Sequence, residues 1–199
     1  RAPWALLSVA AGTFVLLFLM TGSVLIPVKA LVMNTLSLGA TFGVLVLVFQ
    51  DGHGDELLGF TATGAIETWL PVITFAFAFG LSMDYEVFLI SRIKEAHDSG
   101  LPNNEAVAVG LQRSGRIITS AALLILVVFL GFVTGRLISI KEIGLALSVA
   151  VVVDATLVRC LLVPATMDLL GEWNWWAPAP LCRLHRRLGL SEMATQPVP

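Results

Sequence analysis

Five stretches of this chain are apolar for about the length that a helix needs to cross a bilayer, roughly 20 residues at 1.5 Å each. They run over residues 4–26, 28–49, 70–91, 116–134 and 140–163. No other feature restricts the fold as much. A backbone in hydrocarbon must satisfy its polar groups internally, so such segments become helices or closed barrels, and runs of this length predict helices. Composition agrees: 57% of residues are hydrophobic, 13% are charged, and the mean hydropathy is +0.88. The reading is an all-α polytopic membrane protein. No nucleic-acid partner is expected; the net charge of −2 itself says little about partners, because in a membrane protein what counts is where Lys and Arg fall. Two cysteines, Cys160 and Cys182, form no disulfide or metal framework, and no cofactor is expected.

The first two spans are separated by Pro27 alone, which predicts a tight hairpin turning at Pro27 to Lys29. The fourth span is the shortest and gains length if Arg116 snorkels. Between spans three and four, residues 92–115 read as a loop holding a surface helix that starts near Asn103 or Asn104 and leads into span four. Residues 173–199 read as a separate tail: three tryptophans and Arg183, Arg186 and Arg187 give an interface signature facing membrane lipid, and Ser191 to Pro199 are expected to be disordered. The glycine pairs Gly39/Gly43 and Gly131/Gly135 read as close helix contacts.

Charge bias sets an expected orientation. Lys29, Arg92, Lys94, Arg113, Arg116 and the three tail arginines fall on one side; Arg1, Arg136 and Lys141 fall on the other. The positive-inside rule then places the first set in the cytoplasm, with the N-terminal end outside. The acidic loop after span two, beginning DGHGDELLGF, lies outside and reads as a short interfacial element. Since the chain starts at Arg1 with a hydrophobic span and no charged leader, it is expected to be part of a longer protein.

Within span three, Asp84, Tyr85 and Glu86 interrupt the apolar run. A carboxylate deep in a membrane helix costs a few kcal/mol and usually marks an ion path, a proton relay or a partner charge. Counted from Leu70, Asp84 lies about 21 Å down the helix, past the midplane. Its face carries Gly80 four residues earlier and Ser91 seven later, and is expected to pack on protein. Tyr85 is the nearest companion of Asp84. Glu86 is turned well away and is expected to face a watery cleft, in a functional or a structural role. Asp154, in span five, lies at the same offset and reads as a relay member or a packing residue; Arg159, about 140° round an α-helix from it, is expected to snorkel instead. Ser120 is a further candidate for polar support.

Three strings carry a family resemblance: GLSMDYEVFLISRIKE (Gly80 to Glu95), RSGRIITSAALLI (Arg113 to Ile125) and VVVDATLVRCLLVPATMDLLGEWNWW (Val151 to Trp176). With these, the chain resembles the C-terminal membrane half of an MMPL-type transporter of the resistance-nodulation-division superfamily. The resemblance implies spans 8–12 of twelve, a location in the plasma (inner) membrane, and export of lipids or other hydrophobic compounds driven by the proton gradient. It also implies that Asp84 and Tyr85 form one of two Asp-Tyr pairs, the other lying in an N-terminal half that is not in this chain. A homo-oligomer is compatible with it. Two readings compete. An intramembrane aspartyl protease would use Asp84 and Asp154, although GLSMD is not the GxGD pattern of those enzymes, and a sterol-sensing-type regulatory domain would not require the Asp-Tyr pair.

Overall fold

The computed structural model describes residues 2–61 and 64–188. It contains five helices long and apolar enough to span a membrane, and no strand among the described residues. The chain is thus a multi-pass, all-α membrane protein.

Helix α1 (Ala2–Thr21) and helix α2 (Leu25–Leu45) form the expected hairpin, but its turn is Gly22 to Val24 rather than Pro27 to Lys29. Gly22 has φ +71°, a conformation that favours glycine. Pro27 sits in the first turn of α2, where its missing N–H is one the helix would leave unpaired anyway. Lys29 therefore lies inside the helix and is buried, not in a loop. Helix α2 ends in a π-helical turn, Val46–Gln50, and the following loop contains the four-residue helix α3 (Asp55–Leu58). This loop is held at the helix ends, where the buried Lys141 donates to the carbonyls of Leu58 and Gly59.

Helices α4 (Leu70–Asp98) and α5 (Asn103–Val133) are longer than the apolar runs suggested. Residues 92–115 are not a loop: α4 continues through Asp98, a short link with Gly100 at φ +96° turns the chain, and the expected surface helix and span four are one continuous α5. Arg92–Glu95 and Lys94–Asp98 pairs at i,i+3 and i,i+4 line the extension of α4, so its polar end is a helix face. Asn103 is not an N-cap but the first helical residue. Its side chain turns inward and donates to the Met167 carbonyl at 2.8 Å.

The fifth span is not one α-helix. Helix α6 (Ile138–Val153) passes into a π-helix, Asp154–Leu162, then into α7 (Val163–Leu170) and a 3-10 turn, Gly171–Trp175. Pro164 supplies the cause. It has no N–H to give and its ring crowds the carbonyl four residues back, at Cys160, so the preceding turn widens to i→i+5 bonding. The bond from the Val163 N–H to the Val158 carbonyl shows this register.

Lipid gives apolar helices no hydrophobic reason to associate, so tight backbone approach and hydrogen bonds must hold the bundle. Helix α6 is the most enclosed, packed on α2, α4 and α5. A Cβ at Gly144 would lie 2.7 Å from the Phe129 carbonyl oxygen, and one at Gly110 2.4 Å from Ile93 Cγ1, so these glycines set the α5–α6 and α4–α5 crossings. A Cβ at Gly39, Gly43 or Gly131 would meet nothing within 4 Å, and one at Gly135 would meet its own turn and the Ile140 side chain of α6, so among the described residues neither GxxxG pair brings two helix backbones together.

The Trp-rich segment closes the basic end. Asn174, fully buried, donates to the carbonyls of Met167 and Gly171 at 2.7 Å each. The Trp175 ring stacks on His97 at 4.2 Å and its N–H donates to Asn103 Oδ1. Ser23 in the first hairpin donates to the Asn174 carbonyl at 2.5 Å. Trp173 and Trp176 do point outward, as headgroup anchors would, but Asn174 and Trp175 tie three helix ends together. Helix α8 (Ala179–Leu188) then lies against α1, where His185 donates to the Leu19 carbonyl. The disorder expected for Ser191 to Pro199, and the side chains of Arg186 and Arg187, lie outside the described residues.

Candidate functional site

Helix α4 carries a stripe of buried small or polar residues at four-residue spacing, Thr74, Ala78, Ser82 and Glu86. Such a stripe winds slowly round the helix, which directs Ser82 at the fifth span and Glu86 at α2. Asp84 leaves the stripe on the other side. It is exposed, makes no hydrogen bond or ion pair among the described residues, and lies beside Gly80, which has open space where a side chain would be. Its face was expected to pack on protein; Val87 and Phe88 beside it do pack on the core, while Asp84 and Ser91 are exposed among the described residues.

The buried polar residues of α4 lie two positions away from Asp84 on each side, at Ser82 and Glu86. Asp154, the first residue of the π-helix, is buried and has both carboxylate oxygens engaged. Ser82 Oγ donates to Oδ1 at 2.5 Å, and Arg159 Nη2 donates to Oδ2 at 2.6 Å. The same Nη2 donates to the Ser82 carbonyl at 2.8 Å. Arg159 does not snorkel. In the π register, residues five apart come nearly under one another, so the spacing that separates Asp154 and Arg159 in an α-helix joins them here. This buried ion pair bridges α4 and the fifth span.

Tyr85 is half-buried, with the Arg159 guanidinium 4.9 Å from its ring centroid. It lines a cavity of about 10 Å³ together with Ser82 and Asp154, the least space that admits a single water. Tyr85 is next to Asp84 in the chain and shares this cavity wall with Asp154, so it is the side chain that neighbours both the exposed and the buried carboxylate.

Glu86 does not face a watery cleft among the described residues. It is buried between α4 and α2, where Asn34 Nδ2 donates to its Oε2 at 3.4 Å, and it interacts electrostatically with Lys29, Asp154 and Arg159. Ser120 is outside the site: it is exposed on α5 and donates to the Arg116 carbonyl of its own helix. Asp84 and Asp154 do not form a protease dyad. Two catalytic aspartates must share one proton, whereas both oxygens of Asp154 are held by Ser82 and Arg159. Sequence reading missed Ser82, Lys29 and Asn34 altogether. Arg159 was missed because its link to Asp154 depends on the π-helix, whose signal is Pro164 ten residues beyond Asp154.

Comparison with known proteins places this geometry. The profile of the MMPL family matches residues 5–190. The chain is 53% identical over all of its 199 residues to the protein SCO6666 of Streptomyces coelicolor, of which it covers 28%. It is 44% identical over 193 residues to the trehalose monomycolate exporter MmpL3 of Mycobacterium tuberculosis, covering 97% of this chain and 20% of that protein. To the heme uptake protein MmpL11 of the same organism it is 43% identical over 182 residues, covering 92% and 19%. The chain thus spans about a fifth to just over a quarter of the length of these relatives, and the two mycobacterial ones are named for transport. A five-span bundle with an aspartate, a tyrosine and a buried ion pair at its centre, matched almost end to end, belongs to the MMPL family of membrane transporters.

Proposed function

We propose that this chain is the part of a proton-driven MMPL exporter that contains spans 8–12, and that Asp84 takes up and releases the proton, with Tyr85 passing it to and from the Asp154 centre. The observation that carries the reading is Asp84 itself: an exposed carboxylate, without a partner among the described residues, in the middle of a membrane span. Such a group is costly in lipid. It becomes affordable if the face beside Gly80 meets another polar helix of the complete protein, which the family resemblance supplies as a second Asp-Tyr pair. Proton uptake at Asp84 would change the charge across that contact and so alter how the two halves pack, which is the rocking by which transporters of repeated architecture alternate access.

The orientation follows the basic residues, with the clasp of Asn174 and Trp175 in the cytoplasm and the α3 loop outside, in the plasma membrane. Substrate choice lies elsewhere in the protein. Relatives that match this bundle about equally well are named for trehalose monomycolate and for heme, so the bundle supports the energising step and a hydrophobic or amphiphilic cargo, not one compound. A sterol-sensing domain would leave Asp84 and the Asp154–Arg159 pair without a use.

The test uses the full-length protein reconstituted in vesicles with a trapped pH dye, with trehalose monomycolate and heme as probes. A probe that is carried should move protons with it, and Asp84→Asn should abolish both movements while the protein remains folded. Carriage of a probe by the Asn variant at the unaltered rate would end the relay reading.

A further inference from the structure

Five polar atoms with no hydrogen-bond partner among the described residues are buried where α2, α4 and the π-helix meet: Lys29 Nζ, Asn34 Oδ1, Glu86 Oε1, and Arg159 Nε and Nη1. Their residues are all less than 9% exposed. Buried polar atoms are almost always satisfied, by protein or by ordered water, and charged ones most stringently. The set is also chemically complementary. Lys29 and Arg159 can only donate, while Glu86 Oε1 and Asn34 Oδ1 accept. Asn34 already ties to Glu86, and Glu86 feels Lys29 on one side and Arg159 on the other. Donors and acceptors are thus both present between the Asp154 centre on the fifth span and Lys29, which stands in the second turn of α2.

We propose that this junction is an internal, hydrated proton site: a few waters bridge Arg159, Glu86, Asn34 and Lys29, and Glu86 binds a proton there in addition to Asp84. Lys29 serves as the fixed counter-charge. With Glu86 ionised, Lys29 balances it through the waters; when a proton arrives, the Glu86 carboxyl becomes a donor and the cation turns toward the basic end. The charged groups facing Glu86 are Lys29 from α2 and Asp154 and Arg159 from the π-helix, with Tyr85 beside it on α4. The site gives the Asp154 centre a route to the basic end that does not pass over the exposed face of α4. It rests on the proton-coupled reading only for the use made of the proton; hydration and protonation of Glu86 stand without it.

Two measurements on the full-length protein in lipid nanodiscs decide it. Millisecond X-ray footprinting oxidises side chains next to bound water. Met33 lies four residues from Lys29 on the same face of α2, and Met167 is buried beside the tail clasp. Oxidation of Met33 at least several-fold above Met167 is expected; equal protection of both overturns the hydrated site. Infrared titration is then run in the Asp84→Asn protein, so that the relay aspartate cannot supply the signal. A carboxylic-acid band that changes with pH, disappears in Asp84→Asn/Glu86→Gln and moves along the pH axis in Asp84→Asn/Lys29→Met is expected. A spectrum that Glu86→Gln leaves unchanged overturns the proposal. If Asp84→Asn transports normally while the Glu86 band is present, the relay at Asp84 fails and this site stands; the reverse pattern leaves the relay and removes the site.

Discussion

Breaking the Asp154–Arg159 pair from its two sides should have unequal costs. Arg159 is 3% exposed and Asp154 6%, and the pair is made by Nη2 alone, which also donates to the Ser82 carbonyl. Replacing Asp154 by Asn keeps the shape and the Ser82 contact but leaves a guanidinium that cannot lose its proton, buried without a counter-ion. Removing one partner of a buried pair costs about 3–5 kcal/mol. Replacing Arg159 by Met keeps most of the stem volume. It forfeits the contact with the Tyr85 ring and both hydrogen bonds of Nη2, to Asp154 and to the Ser82 carbonyl; that carbonyl lies inside α4 and keeps its helical partner, so the loss is about 2–3 kcal/mol. The stranded carboxylate can escape by taking a proton and keeping Ser82 as partner, which caps the penalty. Asp154→Asn should therefore destabilise by about 1–2 kcal/mol more than Arg159→Met, and Asp154→Asn/Arg159→Met should be more stable than Asp154→Asn alone. Denaturant unfolding of the full-length protein in bicelles measures all three. A double variant no better than Asp154→Asn, or single variants of equal cost in the two directions, would refute the assignment of this pair as buried and mutually compensating.

Further consequences are open to the same kind of measurement. Pro164→Ala should let the Cys160 carbonyl regain an α-helical partner and draw Arg159 away from Asp154; the Asp154–Arg159 coupling energy from a double-mutant cycle should fall in that background, and an unchanged coupling would mean that the proline does not set the π register. Gly144→Ala and Gly110→Ala should each cost about 1–3 kcal/mol, because a Cβ there meets backbone atoms of Phe129 and Val133 or of Ile93. Ser120→Ala should leave transport and stability unaltered, since its hydroxyl serves only its own helix. Asn174→Ala should cost about 1–3 kcal/mol and loosen the basic end, read as faster hydrogen exchange at the start of α2 and of α5; protection equal to that of the unaltered protein would remove the clasp.

The five spans were legible because hydrocarbon leaves the backbone so few options that length and apolarity suffice. Helix ends were not. Residues 92–115 look like a loop by hydropathy, yet salt-bridged pairs on α4 and the inward turn of Asn103 keep them helical beyond the apolar zone. The Pro27 turn was misplaced because proline breaks a helix only from its interior, and Pro27 stands in a first turn. At the site, Asp84 and Asp154 announce themselves as carboxylates in apolar runs. The groups around Asp154 and Glu86 do not, because an α-helical projection puts Arg159 on the wrong side of Asp154, and Lys29, which neighbours Glu86, reads as part of a turn. The glycine pairs misled for a related reason: GxxxG reports that two backbones can approach, whereas Gly110 and Gly144, which carry no such motif, are where backbones do.

The account stands on Asp84 exchanging a proton within the membrane. Infrared spectra of the full-length protein in nanodiscs, recorded across a pH titration, observe that event without a transported compound. The prediction is a carboxylic-acid band that appears as pH falls, is missing in Asp84→Asn, and returns at a shifted frequency in Asp84→Glu. Spectra of the unaltered protein and of Asp84→Asn that coincide at every pH would contradict it.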